Sequence, residues 1–373
     1  MKLYAVTVGI CFGAFIMINL PFITITIAAI LLFFKPPQRG NANLLSRLRS
    51  LDVVGSAIFI PGIFMLLLVL QRGGQQDPWN SATVIGLLTG SGVMLLRFVA
   101  WEVRQGDGAL IPGAVVARRS VIFSVLFGFF HMGSLTIASY YLPEWFQVVQ
   151  GVDPLQSGIR MLPTVLSQLL TIMFASGVAI RIGYYNPWFF LAATFMCTSN
   201  ALYTQFDAVS TPASHCIGYQ VIQGIGAGFG MQMTSLSVQL ELKDSPDLVP
   251  VGIAFVMFLQ YLGSTFTQVA AGAIFNSELQ TGLVERAGLS PAQAAMLLAG
   301  GTRSVRDIAN EHFPDHLSRV LEGYNSAITK VFFIPVACTA AAFFLALGIK
   351  WNKIEEVGEG PLSRLRNKRR TEA

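Results

Sequence analysis

Gln260, Ser264 and Gln268 recur every four residues inside an otherwise apolar stretch, a spacing that puts all three on one face of a helix. Gln220, Gln223 and Thr234 lie close to one face of a second such stretch, and His131, Ser134 and Tyr141 on a face of a third. Neutral donors and acceptors among apolar neighbours are what the wall of a cavity for small organic molecules requires. The same residues would also serve as hydrogen-bonding glue between helices in lipid. His131 adds a ring that titrates near neutral pH and could relay protons; the competing reading is a buried, hydrogen-bonded core histidine. Gly224, Gly226, Gly228 and Gly230 alternate through "QGIGAGFGMQ". With no strand before them and no Lys-Ser or Lys-Thr after, they do not read as a phosphate loop. They form two overlapping G-x-x-x-G pairs, Gly224/Gly228 and Gly226/Gly230, which permit close helix packing and, secondarily, helix sliding during gating.

Other chemistry is weakly represented. Arg160 reads as an interfacial anchor, or as an ion-pair partner of Asp153 or Glu144. "EHFPDH", 311–316, brings two histidines near acids, but Pro314 between them breaks the helical spacing a metal pair needs. Carboxylates fall near the ends of apolar stretches, at Asp52, Glu102, Glu144 and Glu241, and none deep inside one. H-E-x-x-H, G-x-S-x-G and paired intramembrane aspartates are absent, so no catalytic residue, metal or cofactor is expected, and the chain does not read as an enzyme. Cys11, Cys197, Cys216 and Cys338 are scattered, without a C-x-x-C, and suggest neither a disulfide framework nor zinc.

The elements that would position these residues are set by composition. Of 373 residues, 53% are hydrophobic and 12% charged, against roughly 25% charged in soluble domains. The apolar residues come in runs near the roughly 20 needed to cross a bilayer as a helix. The pattern predicts an all-α, polytopic bundle with spans near 12–34, 51–70, 82–101, 121–143, 161–180, 187–206, 216–239, 249–275 and 328–349. Most of the 25 Lys and Arg fall on one side of the membrane when these spans alternate. The loop 35–50 and the basic tail are therefore expected in the cytoplasm and the N-terminus outside. The net charge of +5 is accounted for by this topology, not by nucleic acid. In the outer connection 276–327, "LSPAQAAMLLAGG" predicts a short amphipathic surface helix, with Ser290 as N-cap, Pro291 at the first turn and Gly300 and Gly301 as the stop. A second piece from Pro314 towards Tyr324 leads into the last span.

Several stretches together resemble the fourteen-span drug:proton antiporter branch of the major facilitator superfamily, particularly its fungal toxin-efflux and multidrug members. They are "INLP" (18–21), "LLFFKPP" (31–37), "LDVVGSAIF" (51–59), "ALIP" (109–112), "YYLPEWFQVVQGVDPLQSGIRMLP" (140–163), "RIGYYNPWF" (181–189), "GYQVIQGIGAGFGMQ" (218–232) and "YNSAIT" (324–329). The resemblance implies that residues 1–34 hold the last span of an N-terminal bundle, with the first five family spans lacking, and 35–50 a basic linker. It implies an extra helix pair at 51–102, a cytoplasmic loop at 103–120, a C-terminal six-helix bundle at 121–349 and a cytoplasmic tail at 350–373. It further implies proton-coupled export of small amphipathic drugs or toxins from a cell bounded by the plasma membrane, with the vacuolar membrane as the alternative site. The partners would then be the substrate, protons and the bilayer. The competing expectation is a transport-incompetent remnant that acts, if at all, by self-association or by pairing with another membrane chain.

Overall fold

The computed structural model describes residues 52–73, 77–207, 211–299 and 305–351, within the unit of the chain that begins at Asp52. The expected span 12–34, the linker 35–50, Cys11, the stop at Gly300 and Gly301 and most of the basic tail lie outside these residues. The described chain is all-α, and its β-type pairing is one isolated bridge between Gly73 and Asp77. The helices are α1 Val53–Arg72, α2 Ala82–Gln105, α3 Gly113–Val116, α4 Arg119–Val148, α5 Pro154–Arg160, α6 Leu162–Ile182, α7 Asn186–Tyr203, α8 Ala213–Glu241, α9 Val249–Thr281, α10 Pro291–Ala299, α11 Val305–His312, α12 Leu317–Val331 and α13 Phe333–Ala346.

Among the described residues, six helices or helix runs are long and apolar enough to cross a membrane: α1, α2, α4, α5–α6, the run Pro246–Arg286 through α9, and the run Pro314–Ala346 through α12 and α13. The protein is therefore an integral, multi-pass membrane protein. The expected spans 187–206 and 216–239 are also helical, as α7 and α8, but carry more polar residues and glycine. Both sit within the bundle: α8 packs against α4, α6 and α7, and α13 lies on α4 and α7. Apolar side chains elsewhere are left facing outward, as on α1 (Ile60, 64% exposed) and α2 (Leu96, 73%). That is a poor solution in water and the natural one in lipid.

The boundaries differ from the pattern where proline or polarity misleads. Pro143 does not end α4, which continues to Val148, since membrane helices tolerate proline when neighbours satisfy the freed backbone. α9 runs to Thr281 and closes in a π-helical turn, Gly282–Arg286. The last apolar run starts as helix at Leu317 and breaks only at Phe332. The outer connection is thus shorter than 276–327. Its helix α10 is capped as expected: Ser290 Oγ accepts from the Gln293 amide (3.4 Å), and Gln293 Oε1 accepts from the Ser290 amide (2.8 Å). It does not lie loose on the surface, because Ala294 and Leu297 are buried in the same core as Trp145 and Tyr203.

Each end of the bundle is tied by polar groups that satisfy helix termini. At one end Arg118 donates to the Glu241 carbonyl and Arg119 to the Gly348 carbonyl (2.9 Å). There Asn186 also donates to the Lys350 carbonyl (3.0 Å), and Tyr185 to the Glu241 carboxyl (3.2 Å). At the other end Trp145 Nε1 donates to Asn325 Oδ1 (2.6 Å), and Asn325 Nδ2 to the Phe206 carbonyl (3.0 Å). Arg306 donates there to the Val148 and Val149 carbonyls, both at 3.2 Å, and Lys330 pairs with Glu278. Arg118, Arg119 and Lys350 meet at one end and Arg306 and Lys330 at the other, the sorting that alternating spans require.

Candidate functional site

α4 and α9 lie side by side, and α1 and α12 flank them. Small residues on α9, Gly272 and Ala273, leave room beside α4, and a cavity of about 1400 Å³ opens there. From α4 it is lined by Thr136, Tyr140, Tyr141 and Glu144, and from α9 by Ser264 and Gln268, one helical turn apart. Aromatic walls come from Phe64 of α1 and Trp79 just after it, and Tyr324 of α12 stands at the far side. Ser264 shares a hydrogen bond with Thr136 across the α4–α9 seam (2.7 Å). Gln268 Oε1 has no hydrogen-bond partner among the described residues. The Glu144 carboxyl accepts from the Tyr324 hydroxyl at 2.5 Å. Among the described residues, the lining contains this one carboxyl group and no Lys, Arg or His.

Three of the sequence candidates, Tyr141, Ser264 and Gln268, are brought together here. Gln260 is half-buried one turn before Ser264 on α9 and packs against Gly128 instead. The other five lie in the bundle interior. His131 is fully buried, stacks on Phe127 (centroids 5.3 Å apart) and meets the Gly226 carbonyl at 3.3 Å. Ser134 accepts from Asn200 (2.8 Å), Gln223 from Tyr203 (2.8 Å) and Gln220 from Thr164 (3.2 Å). Thr234 bonds back to the Gly230 carbonyl of its own helix (2.7 Å).

The four glycines of α8 face three different helices. A Cβ on Gly224 would fall 2.4 Å from the Thr164 carbonyl, and one on Gly228 2.8 Å from the Gln168 carbonyl, both on α6. A Cβ on Gly226 would meet the Ala192 carbonyl of α7 at 2.9 Å, and one on Gly230 would meet His131 Nε2 of α4 at 2.1 Å. Two of these obstacles belong to α6 backbone, so the α6–α8 seam depends on having no side chain there.

Charged and metal-ligating residue types outside the cavity are held by local contacts. Arg160 donates to Gln150 and lies over the Phe146 ring (5.6 Å), pairing with neither Asp153 nor Glu144. Asp153 caps α5 instead, accepting from the Gln156 amide (3.0 Å). Among the described residues no group of three His, Cys, Asp or Glu is placed to hold a metal, and His316 Nδ1 is engaged by the Ala287 carbonyl (2.7 Å). The sequence reading put Glu144 beyond the end of its span; the structure buries it within α4, because α4 runs on past Pro143. Glu144, Tyr324, Tyr140 and Thr136 are among the cavity residues that the sequence pattern does not pick out. A lone acid beside a tyrosine pair in a charge-poor chain was the available signal.

Comparison with known proteins adds the following. Residues 9–156 match the family model of the fungal trichothecene efflux pump (TRI12). The chain is 36% identical over 345 residues to the MFS-type transporter poxA of Penicillium oxalicum, covering 91% of this chain and 60% of that protein. It is 34% identical over 339 residues to the rubrofusarin-specific efflux pump aurT of Gibberella zeae, covering 91% and 61%. It is 38% identical over 319 residues to the efflux pump mlcE of Penicillium citrinum, covering 85% and 56%. The chain thus spans roughly three-fifths of the length of these relatives.

Proposed function

We propose that the chain is a member of the MFS-type transporters that it matches and that it takes part in proton-coupled export of small amphipathic organic compounds through the α4–α9 cavity. The observation that carries the proposal is the cavity itself. At about 1400 Å³ it exceeds the roughly 300–1,000 Å³ of ordinary ligand pockets. Its wall mixes tyrosine and phenylalanine rings with hydroxyl and amide groups, which suits a flat or bulky molecule with a few polar atoms. Relatives named as efflux pumps, one of them rubrofusarin-specific, support the same direction of transport.

Transport of this kind moves helices against one another around a midplane site. The smooth glycine seam between α6 and α8 suits such movement, and the polar ties at the two bundle ends are the contacts that would have to exchange. Proton coupling requires a titratable group on the path. Glu144 is the carboxyl at the cavity, whereas His131 lies in the core between α4 and α8. The membrane proposed is the plasma membrane.

The test is export in vesicles that contain only this chain, with a fluorescent amphipathic dye. Dye leaving the cytoplasmic side above background, with collapse of the signal on adding an uncoupler, is the expected result. Absence of export would remove the proposal and leave association with another membrane chain as the reading to pursue.

A further inference from the structure

We propose that α2 binds an anionic phospholipid, whose phosphate is held by Arg97 and Arg104 on the outward side of the helix. The inference is independent of the α4–α9 cavity and of the export reading. Three observations carry it. First, the two arginines are seven residues apart, which puts them on one line of α2. Both are exposed, among the exposed apolar side chains of Val93, Leu96, Val99 and Val103. The side of α2 that packs on α1 is a different one, marked by buried Phe98, whose ring meets Phe59 at 4.6 Å. Second, Arg97 stands deep. α2 has 24 residues and is about 36 Å long, against a hydrocarbon core of about 30 Å. Arg97 lies about 12 Å from the end of the helix and so inside that core, with Arg104 near its edge. Ionisable residues at such depth normally face the bundle interior and pair there, whereas Arg97 faces out. Third, neither arginine has a hydrogen bond or ion pair among the described residues. Asp52 and Glu102, acids at this end of the α1–α2 pair, are engaged elsewhere. Asp52 accepts from Trp101 Nε1 (3.0 Å) and the Gly55 amide (2.8 Å), and Glu102 from the Leu110 and Ile111 amides (3.1 and 2.9 Å).

A guanidinium stays ionised in a protein and pairs with a phosphate through two parallel N–H bonds. In hydrocarbon such a partner replaces the hydration that the side chain has lost. Side chains lean towards the N-terminus of their helix, which for Arg97 is away from the nearer membrane surface. Reaching outward is therefore a poor escape, and a phosphate drawn down between Arg97 and Arg104 meets both charges. Two arginines together favour a headgroup of net negative charge over phosphatidylcholine, whose own ammonium offsets its phosphate. Anionic phospholipids concentrate in the cytoplasmic leaflet, the side expected for this end from the Lys and Arg distribution.

The experiment uses the whole chain in mixed micelles, with bound lipids counted by native mass spectrometry. The probes are phosphatidylserine and phosphatidylcholine with the same acyl chains. The native chain should retain phosphatidylserine with a preference of roughly fivefold or more. Arg97→Gln combined with Arg104→Gln should abolish that preference and leave phosphatidylcholine retention unchanged, which also shows that the variant is folded. Arg181→Gln removes an exposed cation at the end of α6 and should leave the preference intact. Inorganic phosphate in excess should displace no lipid. Equal retention of the two lipids by the native chain overturns the proposal, as does a preference that survives the double variant. A loss in Arg181→Gln as large as in the double variant reduces the effect to diffuse charge and overturns it too. Displacement by inorganic phosphate would leave an anion site with no need of a lipid, and dimers that exclude phosphatidylserine would give the α2 face to a second copy; either result also sinks the proposal.

Discussion

Glycine is the residue type on which this bundle depends most directly, and its positions divide into two classes. Gly224 and Gly228 stand where a methyl group would strike the α6 backbone, while Gly86 of α2 has nothing within 4 Å of its missing side chain. Overpacking a rigid seam costs about 1–3 kcal/mol, whereas glycine in an open helix position is about 0.5–1 kcal/mol worse than alanine. Gly224→Ala and Gly228→Ala should therefore lower the midpoint of thermal unfolding in detergent, and Gly86→Ala should leave it unchanged or raise it. A loss in Gly86→Ala equal to that in Gly224→Ala would show that the close α6–α8 approach is not what the glycines provide. The α8 glycines were legible as a packing motif because their spacing is local. Their assignment to three different partner helices was not, since it depends on which neighbours fold against α8.

Among the helices, the end of α4 is tied to several distant segments. Asn325 of α12 accepts from Trp145 of α4 and donates to the carbonyl of Phe206, beyond α7, and so joins three segments distant in sequence. Trp145 is fully buried, so Asn325→Ala would orphan its indole N–H and the Phe206 carbonyl, each at about 1–3 kcal/mol. The nearby Glu278–Lys330 pair is partly exposed, with side chains 32% and 42% accessible, and screened pairs of that kind contribute about 1 kcal/mol or less. Thermal unfolding should then rank Asn325→Ala well below Lys330→Met, and the reverse order would mean the ion pair is the stronger tie. The sequence marked Tyr324 and Asn325 only as part of "YNSAIT". Their partners lie 180 residues away for Glu144 and Trp145, a separation that no local pattern encodes.

For the molecule as a whole, alternating helices carry the consequence that its two polar ends face opposite sides of a membrane. From the Lys and Arg bias we propose that the end with Arg118, Arg119, Arg181 and Lys350 faces the cytoplasm. Asp315 and Arg181 are both exposed, at opposite ends of the bundle. A membrane-impermeant thiol reagent applied to intact cells should label Asp315→Cys above the native background. It should reach Arg181→Cys only after permeabilisation. Labelling of Arg181→Cys alone would invert the topology and with it the direction of transport.

Composition and apolar run length were enough to establish the all-α membrane class and the order of the long helices α1, α2, α4, α6, α7, α8, α9 and α13, though not the short α3, α5 and α11, because a backbone in lipid must bond to itself and therefore to its near neighbours in sequence. The same locality recovered the Ser290 cap, though not its reciprocal bond with Gln293, and the shared face of Ser264 and Gln268. Tertiary structure alone decided which polar residues reach the cavity. It sent His131, Ser134, Gln220 and Gln223 into the seams between helices, although their spacing on the chain is as suggestive as that of Ser264 and Gln268. It also turned Glu144 from a residue beyond a span into a carboxyl group that lines the cavity. A helical face can meet another helix or an open space with the same sequence, and only the packing of distant segments determines which.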